Sequence, residues 1–454
     1  MAIVDYVEAA FPGIVQSAQQ DTTWGLKKIG AHNVWSGAYG PSSLGQLANI
    51  TILDTGVDET HRWYGDGPEN MYLDCYWIST TGSTACYDDF APSNPRRGHG
   101  AHVAGVIASR DNSVGYVGVT PSIGGFASIK VCRPDGMCLP GDVASGMDWA
   151  LNSGRARHIV NISLGYCQNY TVLQQFVANM AAANILVVAS AGNTVYGATL
   201  EYYCQGQANN LGSSWPTAVM FPARYPQALA VSGTLENDAF PVAQNPGGGG
   251  GGGGPDWCGE YACATASGTC IIGSRYGQEV DISAPFQASS MTMSGQYTTR
   301  CGTSFSAPFV AGVAALVWTR NPTFTATQVR QRLTSTAVAL FPATQFGAGR
   351  VHAVTATYGP PFTAMIAGPT LINVKDTYTW TAEASGGSGG YSYSWSVHYP
   401  SGQSYSLGTA QSVQLTVFAG TGDFELRVTV TSGGQSIEAM LAVDECIGGG
   451  CGPL

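Results

Sequence analysis

The sequence predicts an α/β domain, a parallel sheet with helices on both faces, followed by a small all-β sandwich. Two observations carry this reading. From about Asn49 to Pro285, short β-branched runs alternate with segments whose apolar residues recur at helical spacing, the pattern of βαβ units. Beyond Gly349-Arg350-Val351 the period drops to two: residues 391–397 and 424–430 alternate strictly, with Gly/Ser turns between. A length of 454 residues suits one large domain plus a smaller one.

In chain order, strands are expected at residues 49–53, 128–131, 158–163, 185–189, 228–232 and 280–283. Helices are expected at 142–151 and 172–184. A further helix opens in Gly302-Thr303-Ser304-Phe305-Ser306-Ala307-Pro308, buries Phe309, Val310, Val313, Leu316 and Val317, and stops at Asn321-Pro322. Eight consecutive glycines, Gly247 to Gly254 between Pro246 and Pro255, read as a surface insertion. Gly359-Pro360-Pro361 is the expected linker, with the α/β domain over residues 18–358 and a sandwich that resembles immunoglobulin-like or PKD-like modules over 359–454.

Composition excludes several functions. Charged residues make up only 11% and the formal net charge is −10, so the clustered Lys and Arg that a nucleic-acid surface needs are missing. The longest apolar stretch, residues 305–318, falls short of the roughly 20 residues that span a bilayer and contains Ser306 and Pro308. No membrane segment is expected. The twelve cysteines occur mostly as close pairs: Cys75/Cys86, Cys132/Cys138, Cys167/Cys204, Cys258/Cys263, Cys270/Cys301 and Cys446/Cys451. Without a CxxC pair, or a His at ligand spacing, they read as disulfides formed outside the cytoplasm rather than as zinc ligands.

Peptide hydrolysis by an alcohol needs a hydroxyl, a base, an acid that fixes the base's tautomer, and donors for the oxyanion. Four segments offer these parts. The first strand ends on Asp54-Thr55-Gly56, a carboxylate at a carboxyl end, where open α/β sheets place their sites. His99 lies in Gly98-His99-Gly100-Ala101-His102-Val103-Ala104-Gly105, whose small residues let a helix sit close to that strand. The strand at 185–189 ends in Ser190-Ala191-Gly192-Asn193, presenting a side-chain amide. Ser304 opens a helix, where unpaired backbone N–H groups face an anion.

In the order Asp, His, Asn, Ser, these segments resemble the signature blocks of subtilisin-like serine proteases. Ser163-Leu164-Gly165 resembles the family's substrate-lining strand, and the likeness runs from about Ala18 to Val354. The resemblance implies a secreted serine endopeptidase with Asp54, His99 and Ser304 as the triad, and with Asn193 and the Ser304 N–H as the oxyanion hole. It places a substrate pocket, apolar and uncharged, between Ser163-Leu164-Gly165 and Ser190-Ala191-Gly192. Large apolar residues before the cleaved bond are expected there, with Met220 shortening the floor. His99 is expected to titrate near the ordinary value of about 6.5. Sedolisin-type enzymes, which replace the His by an acid, are disfavoured because His99 is present.

The resemblance further implies a propeptide remnant over residues 1–17, cut between about Pro12 and Gln20, so that the partners are protein or peptide substrates and the chain's own propeptide. A monomer is expected. A structural calcium ion is implied on the loop after the His99 helix, held by the Asn112 side chain and the carbonyls of Arg110, Val114 and Tyr116, with Gln19 or Gln20 reaching across. The carboxylate that the family adds to this site would fall at Trp63, leaving Asp66 as the substitute. Cys301 stands three residues before Ser304; a bond to Cys270 would clamp that turn, with Cys258–Cys263 beside it, and the two other pairings of these four remain open. Ala101 stands where the family has Thr, and Phe286 where it has Gly after Ala284-Pro285. The alternative function is a catalytically silent extracellular binding protein acting through its C-terminal sandwich.

Overall fold

Seven strands of the computed structural model form one wholly parallel sheet: β1 (Asn49–Asp54), β2 (Leu73–Trp77), β3 (Gly125–Lys130), β4 (His158–Ile162), β5 (Leu186–Ser190), β7 (Leu229–Thr234) and β9 (Ile282–Pro285), in spatial order β2-β3-β1-β4-β5-β7-β9. The structure describes residues 23–35, 48–57, 73–81, 86, 97–111, 115–121, 125–195, 218–242, 272–292, 297–360, 362–373, 376–387, 390–418, 420–432 and 435–445. The expected strands are present with ends shifted by one to three residues. The edge strand β2 was not foreseen, because Leu73-Asp74-Cys75-Tyr76-Trp77 shows neither a β-branched run nor alternation.

The strands β4, β5 and β7, and the edge strand β9, are buried along their whole length, as parallel strands covered on both faces must be. Helices α4 (Pro140–Asn152) and α5 (Thr171–Ala182) cover one face through Val143, Met147, Leu173 and Val177, which pack with Leu53, Ile129, Ile162 and Val187. Since successive side chains on a strand alternate, Asp54 points to the opposite face from Leu53. On that face lie α3 (His99–Ala108), buried throughout, and α6 (Thr303–Arg320), buried from Thr303 to Thr319. These two helices pack on each other and on the sheet. Further helices are α1 (Trp24–Ile29), the short α2 (His32–Trp35) and α7 (Ala326–Ser335).

Short strands outside the main sheet finish the loops: β6 (Asn193–Val195) pairs with β8 (Ile272–Ser274), and β10 (Gln287–Met291) with β11 (Tyr297–Cys301), both antiparallel. Cys132 and Cys138 form a disulfide across the tight turn that follows β3. Cys86, Cys167 and Cys301 are also disulfide-bonded. Cys204, Cys258, Cys263, Cys270, Cys446 and Cys451 lie outside the described residues, as do residues 1–17 and the glycine tract.

The chain divides into two compact units between Thr357 and Tyr358. The second is all β. One sheet runs β12 (Thr363–Ala367), β14 (Thr377–Ser385), β17 (Ser412–Thr416); the other runs β13 (Leu371–Ile372), β19 (Gln435–Glu445), β18 (Phe424–Ser432), β15 (Ser392–His398), β16 (Ser404–Gly408). Trp380, Ile366 and Val413 from the first meet Trp395, Leu426, Val428 and Val443 from the second in one core. The period-two pattern of β18 is realised without a break, buried and half-buried residues alternating from Phe424 to Ser432.

Candidate active site

β1 is flanked by β3 on one side and β4 on the other, so the chain winds in opposite directions from it, and its carboxyl end opens into the crevice where α/β sheets hold their sites. Asp54 sits at that end. Its Oδ1 accepts from the Thr55 N–H at 2.7 Å and lies 2.5 Å from His99 Nδ1. Thr55 is held in turn: its hydroxyl accepts from the Gly100 N–H at 3.0 Å, and its carbonyl accepts from Lys130 Nζ at 2.7 Å. A side chain on Gly100 would collide with the Gly56 carbonyl, so glycine is what lets α3 approach β1 closely enough for the pair to form.

His99 is fully buried. Phe305 stands between it and His102, ring centroids 5.3 and 4.7 Å away. Burial, then the Arg300 guanidinium, then His102 push the His99 pKa well below the ordinary imidazole value, while the Asp54 carboxylate pulls the other way. The expectation of about 6.5 is that of a solvated imidazole, and burial works against it here.

Ser304 is the second residue of α6, at the end where backbone N–H groups lack intrahelical partners. Its hydroxyl donates to the Ser163 carbonyl at 3.2 Å, and the Ser163 hydroxyl donates to the Ser304 carbonyl at 2.7 Å. Asn161 Nδ2 donates to the Ser163 hydroxyl at 3.0 Å, so the segment after β4 is locked to the start of α6.

Asn193, just past β5, is oriented by Thr303. Its Oδ1 accepts from the Thr303 N–H at 2.9 Å and from the Thr303 hydroxyl at 3.1 Å. That hydroxyl accepts from the Gly192 N–H at 3.1 Å, leaving its own proton for Asn193. Both Thr303 groups are donors, so the amide oxygen must face them, and Nδ2 is turned the other way as a donor.

The remaining expected residues also come together. Met220 N–H donates to the Ala191 carbonyl at 2.9 Å. A Cβ placed on Gly165 would lie 3.1 Å from Met220 Cβ, and one placed on Gly192 would lie 2.6 Å from Met220 Sδ, so this side chain occupies the space between the two glycines. Leu164, Ser190 and Ala191 are buried beside it. Phe286, where a glycine was expected, packs its ring over Gly233, which has no side chain to displace it. In the loop after α3, Arg110 and Tyr116 are described, while Asn112, Val114 and Gln19 are not. Among the described residues no three His, Cys, Asp or Glu could hold a metal ion together.

Among the described residues, buried cations not singled out beforehand include Lys130, Arg275 and Arg300. Only Lys130 left a trace, a lysine closing the otherwise uncharged run Phe126-Ala127-Ser128-Ile129 and in register with Asp54. Arg300 stands in the short strand β11 and Arg275 directly after β8, strands whose pairing the sequence did not reveal.

Comparison with known proteins fixes the class. A model described as the subtilase family matches residues 45–359, and the chain belongs to that family of serine endopeptidases. It is 31% identical over 339 residues to the thermostable alkaline protease of Halalkalibacterium halodurans, covering 74% of each chain. It is 31% identical over 343 residues to Subtilisin BL of Lederbergia lenta, covering 74% of this chain and 99% of the relative. Against the alkaline elastase YaB of a Bacillus species the identity is 30% over 346 residues, 75% of this chain and 71% of the relative. No described helix is long and apolar enough to cross a membrane.

Proposed function

We propose that this chain hydrolyses peptide bonds through an acyl-enzyme on Ser304, with His99 as general base, Asp54 fixing the base, and Asn193 Nδ2 with the Ser304 N–H receiving the oxyanion. The observation that carries this is the 2.5 Å contact between Asp54 Oδ1 and His99 Nδ1. With Nδ1–H directed at the carboxylate, Nε2 is the nitrogen left to accept a proton. On this reading the Ser304 hydroxyl turns from the Ser163 carbonyl toward Nε2, attacks the substrate carbonyl carbon, and passes its proton to His99. His99 then gives that proton to the departing amine, and water repeats the sequence to release the acid. A fluorophosphonate should label the wild-type chain on Ser304 and leave Ser304→Ala unlabelled with its fold intact. An unlabelled wild type would favour the silent binding protein instead.

The pocket beside Ser163, Leu164, Gly165, Ser190, Ala191 and Gly192 is read as apolar, and a charged side chain buried there unpaired would cost several kcal/mol. Met220 limits its depth, so cleavage of a peptide library should follow apolar residues. Preference for Lys or Glu would contradict this. The cysteine content supports a secreted protein, and residues 1–17 are proposed as the end of a propeptide. The mass of the active chain should then begin between Pro12 and Gln20. Calcium is proposed in the loop 110–116, built from carbonyl and amide oxygens such as those of Arg110, Val114, Tyr116, Asn112 and Gln19, the hard donors this cation takes.

A further inference from the structure

Arg275 follows β8 directly and is only 2% exposed. A buried guanidinium is costly unless its donors find acceptors. Three donors of this residue converge on one region: its backbone N–H on the Gly192 carbonyl at 2.9 Å, Nε on the Asn193 carbonyl at 3.0 Å, and Nη1 on the Ala218 carbonyl at 3.2 Å. All three acceptors are neutral. Two are consecutive in the segment that carries Asn193, and the third lies two residues before Met220. The arginine stem also covers Gly192, where a Cβ would stand 2.9 Å from Arg275 Cδ. Gly192 has φ +95°, a sharp backbone turn between β5 and the Asn193 amide.

Asn193 is therefore held from two directions. Thr303, from α6, fixes its side chain; Arg275, just after β8, fixes its main chain. A donor stabilises an oxyanion only when it lies about 2.7–3.1 Å from where the charge develops, so the main chain that carries the amide has to be fixed as firmly as the amide itself. We propose that Arg275 is a positioning residue for peptide hydrolysis: by gripping the carbonyls of Asn193 and Ala218 it aims the Asn193 amide at the oxygen that becomes negative. The proposal rests on the peptidase reading above. Lysine could not replace it fully, because the planar guanidinium presents several donors in fixed directions and the ammonium is a single point on a flexible stem.

The test is a double-mutant cycle on the full chain, with kcat and KM measured on a peptide anilide. Arg275→Met should lower kcat about tenfold or more with KM changed less than about threefold, short of the ~10²–10³ expected for Asn193→Ala. In the Asn193→Ala background the same change should cost less than about threefold, because there is no amide left to aim. Arg275→Lys should fall between wild type and Arg275→Met, and if Arg275→Met does not fold, Arg275→Lys carries the same cycle. An equal loss in both backgrounds, or a loss confined to KM, would overturn the assignment while leaving the peptidase reading intact. A wild type inert to fluorophosphonate would instead overturn the peptidase reading itself.

Discussion

A base that must be neutral to take a proton works above its own pKa, so whatever lowers that pKa extends activity toward acid. Around His99 the groups that matter are Asp54 on β1, Arg300 on β11 and His102 on α3. Burial and the Arg300 charge lower the value, so the acid limb of kcat/KM should lie below the ~6.5 of free imidazole: activity survives as pH falls through that value and is lost further down. Arg300→Met removes a positive charge and should move the limb upward, while Arg300→Lys should hold it nearer the wild-type position. A pH–rate profile on one peptide substrate decides this, and an unmoved limb in Arg300→Met would remove Arg300 from the electrostatics of the site. Asn193 belongs to the same scale. The sequence offered it as an amide at a strand end, but which of its atoms faces the reaction followed only from the two Thr303 donors on Oδ1.

Among the elements, α3 is the most constrained. It is buried on every side over ten residues, meets the turn after β1 at Gly100 and meets β10 at Gly105, whose added Cβ would collide with the Ser290 hydroxyl. Gly100→Ala leaves the helix a poor choice: keep its place and overlap the Gly56 carbonyl, or move and draw His99 away from Asp54. Overpacking of this kind costs about 1–3 kcal/mol. The variant should melt several degrees lower and lose kcat by more than it changes KM; unchanged melting and turnover would show that the contact is soft. The helix itself was legible as small residues around a histidine. Its partner across the close contact was not, since Gly56 and Gly100 are brought together by the sheet and not by the chain.

For the molecule as a whole, stability and ligation are linked. A cation that binds only the folded state stabilises it by RT ln(1 + [L]/Kd), so the proposed calcium should raise the melting temperature as its concentration climbs and release that gain to a chelator. Identical melting curves in millimolar calcium and in excess EGTA would remove the ion from this protein. The two units each carry their own core, one around the parallel sheet and one around Trp380 and Trp395, which is why a change of hydrophobic period along the chain was enough to separate them.

Periodicity and local chemistry are properties of neighbouring residues, and the sequence alone determined what depends on them: the alternating βαβ segment, the period-two strands of the second unit, and the four segments bearing Asp54, His99, Asn193 and Ser304. Each of those segments is contiguous, and its glycines and small residues announce close packing before any partner is known. Long-range register is different. That Lys130 ends beside Asp54, that Arg300 lies near His99, and that Arg275 reaches the carbonyls of Asn193 and Ala218 are consequences of the tertiary fold across 56 to 200 intervening positions of chain, where no local pattern distinguishes one buried cation from another. The edge strand β2 was hidden for a related reason, because what makes Leu73–Trp77 a strand is the hydrogen-bonding edge of β3 rather than its own residues. The tertiary structure decided these matters by closing the distances that turn isolated charges and amides into a site.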